Sequence, residues 1–158
     1  MSLTRPLVGQ PSATRLLTPS TRRLMRITDI GFITYWTLVA LHLVPPRVLF
    51  AEYHLATVSA WNWSFLPLDL TASITGLIAI RRSQSHPPSA ERLAAVSLLL
   101  TSVAGGMALA YWSIRRQFAL TWWLPNALLL CFPIPPLTRW LRGDPAVADD
   151  GRDRTHTT

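Results

Sequence analysis

Apolar residues along the chain fall into four stretches, 27–45, 63–80, 93–113 and 118–138, separated by short polar segments. Each stretch is long enough, at about 1.5 Å per helical residue, to cross a hydrocarbon core of roughly 30 Å. Of the 23 charged side chains only Asp29 and Asp69 lie inside a stretch. Soluble bundle helices carry charges along their outer faces, so this segregation excludes a soluble helical domain. It predicts an all-α protein, an integral membrane four-helix bundle occupying 27–141. Residues 1–26, which contain no acidic residue, and 142–158 read as disordered polar tails. The segment 83–89, with His86-Pro87-Pro88, reads as a polar turn. The loop from Pro46 to Asn62 is the largest external element.

Composition alone hides this pattern, because the 49% hydrophobic content is ordinary for a soluble domain. Charge sharpens it. All 15 basic residues are Arg. Twelve of them fall on the side that holds both chain ends and the central loop, and three on the other. By the positive-inside rule both ends are cytoplasmic, in the cytoplasmic membrane of the cell. Arginines scattered around apolar spans do not form the basic face that a nucleic-acid partner needs. The first 45 residues begin like a signal peptide, but the apolar run is too long, holds Tyr35-Trp36 and ends without a small-residue cleavage site, so it reads as an uncleaved span. The lone Cys131 excludes an internal disulfide. No metal-ligand cluster or phosphate loop points to a metal or cofactor.

Asp69 is the residue that needs a reason. Ser64 would cap the second helix and Pro67 suits its first turn, which sets the carboxylate about 9 Å inward from Trp63. Ser73 and Gly76 share its helical face, which therefore faces the bundle. Asn126 lies at a similar depth in the fourth span. His42, near the outer end of the first span, shares a face with Tyr35. These four residues form one expected polar cluster in the outer half of the membrane. Trp61, Trp63, Trp112, Trp122 and Trp123 stand at the same level as an interfacial belt. Five indoles exceed what anchoring requires, so Trp63 and Trp123 are also candidates to line a pocket. An intramembrane acid marks a ligand or proton site; alternatively Asp69 and Asn126 bond across helices and only fix packing. Asp29, close to Arg26, reads as a cap or interfacial ion pair. In the third span Thr101, Gly105 and Ala108 form a small-residue face suited to close helix packing.

The strings Thr28-Asp29-Ile30-Gly31-Phe32 with Tyr35-Trp36, Ala60 to Leu70 followed by Ser73-Ile74-Thr75-Gly76, and Trp122-Trp123-Leu124-Pro125-Asn126 resemble the YvaD-like family of small bacterial four-helix membrane proteins. The resemblance covers about residues 27–138. It implies four helices and a bacterial membrane, and it singles out Asp69 and Asn126. It implies no reaction, substrate or partner. Three functions stay open: a membrane-embedded binding or accessory protein whose cluster holds a small ligand, lipid headgroup or proton, a structural subunit of another membrane protein or homo-oligomer that uses the small-residue face of the third helix, and an intramembrane enzyme or isomerase with Asp69 as acid/base. A closed aromatic cavity at Asp69 favours the first, a direct Asp69–Asn126 bond the second, and a second titratable group in reach the third.

Overall fold

The computed structural model describes residues 16–43, 45, 52 and 54–143. Most of the two expected tails, and part of the external loop, lie outside the described residues. Among the described residues the protein is all helix. Six segments are present: α1 (Pro19–Ala40), α2 (Ala56–Trp63), α3 (Leu66–Arg82), α4 (Pro87–Ile114), α5 (Leu120–Cys131) and α6 (Ile134–Arg142). They form four rods, because α2 runs into α3 and α5 into α6. The joins fall where prolines remove backbone donors, at Pro67 and at Pro133, Pro135 and Pro136. Three rods are long and apolar enough to cross a membrane: 27 residues for Ala56–Arg82, 28 for Pro87–Ile114 and 23 for Leu120–Arg142. The fourth, α1, has 22 residues but carries Arg22, Arg23, Arg26 and Asp29 in its first half, so it falls short of that apolarity.

Three boundaries differ from the sequence expectation. The chain is ordered before residue 27: Thr18 caps α1 by accepting from the Thr21 N–H at 3.2 Å, with Pro19 next to it. Leu16 and Leu17 are buried with Met25, Ala79, Ala90, Ala94 and Leu98, and the Glu91 carboxylate accepts from the Leu16 N–H at 2.6 Å. An arginine-rich composition obscured two leucines that belong to the core. The turn at 83–89 is shorter than expected, since Pro87 and Pro88 open α4 rather than interrupt it. The third difference matters most. Trp61-Asn62-Trp63 is helical, not loop, because Val58 packs fully buried against Trp112 and draws the segment into the bundle. Ser64 therefore does not cap a helix; its hydroxyl donates to the Trp61 carbonyl at 2.6 Å.

The rods pack in sequence order, α1 on α3, α3 on α4 and α4 on α5. Small residues set the closest approaches. A Cβ on Gly105 would lie 2.6 Å from the Asn126 carbonyl oxygen and 2.6 Å from the Leu130 nitrogen, so only glycine lets the α4 and α5 backbones meet. The Ser102 hydroxyl donates across the same seam to the Leu130 carbonyl at 3.0 Å. Thr101 and Ala108 are buried as expected, and this face is filled by the protein's own helices.

Candidate functional site

Two buried carboxylates stand at two levels of the α1–α3 contact. Trp36 of α1 lies beside Asp69 of α3, and Asp29 of α1 lies beside Gly76 of α3. Along each helix the two levels are about 10 Å apart, so the helices run antiparallel in register.

At the level of Asp69 the Trp36 indole N–H donates to Asp69 Oδ2 at 3.0 Å. The Tyr35 hydroxyl donates to Asn62 Oδ1 at 2.9 Å. Asp69 is 5% exposed and Asn62 8%. Among the described residues Asp69 Oδ1 and Asn62 Nδ2 are both buried without a hydrogen-bond partner, a condition that costs free energy unless another group supplies the bonds. A cavity of about 210 Å³ lies against these groups. Phe32, Tyr35, Trp36, Trp61, Phe65 and Trp122 form its aromatic walls, and Asp69, Asn62 and Asn126 its polar part. The walls are braced from behind: Trp61 stacks on Tyr111 with centroids 3.9 Å apart and meets Phe65 edge-on at 4.9 Å.

Of the residues expected here, Asp69, Asn126 and Tyr35 do converge. The Asp69–Asn126 bond of the packing alternative is not made. Asn126 gives its side-chain N–H to the Trp122 carbonyl at 2.7 Å, one turn back on its own helix beside Pro125, and the cavity separates it from the carboxylate. His42 lies outside the cluster. It is exposed, with φ 53°, and it ends α1: its N–H bonds the Val39 carbonyl, and the Leu43 N–H bonds the Leu38 carbonyl. That is a Schellman turn, which needs a left-handed residue at this position. Trp63 is 40% exposed and packs on Trp36 from outside the cavity. Trp123 donates to the Gln117 carbonyl at 2.9 Å and leans on Phe118. Its neighbour Trp122 lines the cavity instead.

Sequence reasoning missed Trp36, Trp61 and Asn62 as site residues. For Asn62 the signal was present, since a lone amide among Trp, Phe and Leu is as anomalous as Asp69, but assigning it to a loop removed the reason to ask. Asp29 was also misread. It is 1% exposed and neither caps α1 nor pairs with Arg26; its Oδ2 is unpartnered, as is the buried Ser97 hydroxyl. A Cβ on Gly76 would lie 2.2 Å from Asp29 Oδ2 and 2.6 Å from Ser97 Oγ. The carboxyl is pressed onto bare backbone at a three-helix crossing.

The chain matches, over residues 21–146, a family model described as a family of unknown function, DUF5360. The chain belongs to this family. It is 39% identical over 108 residues to the "Uncharacterized protein YvaD" of Bacillus subtilis (strain 168), which covers 68% of this chain and 81% of that protein. No solved structure matches. The matched region of the family model contains both carboxylates and every residue of the cavity wall.

Proposed function

We propose that this is a four-span membrane protein, with both ends on the arginine-rich cytoplasmic side of a bacterial membrane, that binds a small ligand in the aromatic cavity beside Asp69. The carrying observation is the conjunction of free space and unmet polarity: a cavity of about 210 Å³ bordered by a buried carboxylate and a buried amide, each with an unpartnered atom. Binding sites combine apolar walls with a few such groups. A residue serving packing alone would be closed in by protein atoms, with no free space beside it.

Four crossings are favoured although α1 is the least apolar rod. It lies against the span α3 from the level of Gly76 to that of Asp69, so it shares the depth of its partner. Leu24, Ile27, Ile30 and Ile33 are exposed along it, as suits a face turned to lipid. The acid/base reading is weaker, because the titratable Tyr35 in the cavity spends its hydroxyl on Asn62. The partner-subunit reading loses the α4 face on which it rested, since α5 covers it.

Two measurements test the proposal. In a Cys131→Ala background, Ala56→Cys at the exposed start of α2 should react with an impermeant thiol reagent on intact cells, while Ser85→Cys between α3 and α4 should not. Labelling at Ser85→Cys would overturn the orientation. Separately, native mass spectrometry of the purified protein should show a bound small molecule or lipid that is lost in a folded Asp69→Asn variant. Retention by Asp69→Asn would remove Asp69 from the site.

A further inference from the structure

The charge balance inside the cavity narrows what enters it. Asp69 is the one acidic residue among those that line it, and none of them is Arg, Lys or His. Among the described residues its carboxylate has one hydrogen bond, from a neutral indole through Oδ2, and Oδ1 has no partner. Nothing among the described residues gives this carboxylate the counter-charge that buried ions need. The six surrounding rings cannot supply that charge, but their electron-rich faces favour a cation placed among them. Aromatic walls around one carboxylate therefore ask for a ligand that is positive and apolar at once.

Resting on the reading of the cavity as a binding site, we infer that its ligand class is a small organic ammonium ion. The ammonium group donates to Asp69 Oδ1, its apolar body packs among Phe32, Trp36, Phe65 and Trp122, and Asn62 Nδ2 is available to a hydroxyl or carbonyl on the same molecule. Size agrees. The cavity of about 210 Å³ exceeds the roughly 150 Å³ that suffices to hold benzene in a protein interior. A metal ion is a poorer occupant, because one carboxylate amid rings offers too few oxygen ligands, and an anionic headgroup would meet the carboxylate with like charge.

The test compares two probes of one shape, benzylammonium and benzyl alcohol, titrated into the full-length protein in detergent at neutral pH. Binding is followed by the fluorescence of the cavity tryptophans. Wild type should respond to benzylammonium at a concentration at least tenfold lower than to benzyl alcohol, and Asp69→Asn should bring the two together. Equal responses in wild type would overturn the ammonium assignment and leave the cavity a neutral-ligand site. No response to either probe would overturn both readings. Trp36→Phe keeps the charge and frees the second carboxylate oxygen, so it serves should Asp69→Asn not fold. Its preference for the ammonium must persist, and a fall to parity would also overturn the assignment.

Discussion

The two levels of the α1–α3 contact hold the same functional group in opposite surroundings. Asp29 and Asp69 are both buried and both keep one oxygen without a partner. Around Asp29 the neighbours are small, Gly76 and Ser97, and the backbone of α3 closes directly on the carboxyl. Around Asp69 the neighbours are large rings that cannot interdigitate fully, and a cavity remains. Burial and missing bonds alone thus do not mark a binding site. What separates the two acids is whether a second molecule has room beside them. Small side chains make a crossing, and bulky flat ones braced by Tyr111 make a container.

The contrast can be broken first at Gly76. Gly76→Ala should destabilise the protein in detergent by about 1–3 kcal/mol through overpacking, net of the roughly 1 kcal/mol by which alanine favours a helix over glycine. In an Asp29→Ala background part of that loss should vanish, because the nearest atom that a new Cβ strikes is Asp29 Oδ2, while the contact with Ser97 Oγ remains. A coupling of more than about 1 kcal/mol between the two sites is expected. Additive losses in thermal melts would show that Asp29 is not the contact that makes glycine necessary.

The smaller effect is at the container. Asp69→Asn keeps the size of the side chain and an oxygen to accept the Trp36 indole N–H, so its stability should stay within about 1 kcal/mol of wild type. A loss as large as that of Gly76→Ala would mean that Asp69, like Asp29, holds the packing together. The cavity would then be incidental to it.

Chain properties that repeat at short range were legible in the residues themselves. The confinement of charge to the connections marked where the apolar rods run. A 3.6-residue period placed Asp69, Ser73 and Gly76 on one inward face and Thr101, Gly105 and Ala108 on another, and all six are buried. The depth argument put Asn126 level with Asp69, and both line one cavity. These features are local, since helical period and the cost of a charge in hydrocarbon act on each segment alone.

The contacts that shape the cavity span distance in the chain. Trp36 and Asp69 are 33 residues apart, and Tyr35 and Asn62 are 27 apart. Which indole reaches the carboxylate depends on the rotation and height of α1 against α3, and glycine at position 76 sets that height by admitting Asp29. The recruitment of Trp61 and Asn62 likewise follows from Val58 finding Trp112, a contact between helices. The sequence by itself determined which segments are apolar helices and which faces turn inward, because hydrophobicity and period are written residue by residue. Only the tertiary structure decided that one buried acid closes a crossing while the other borders a cavity, because free space belongs to the packed side chains together and to no single residue.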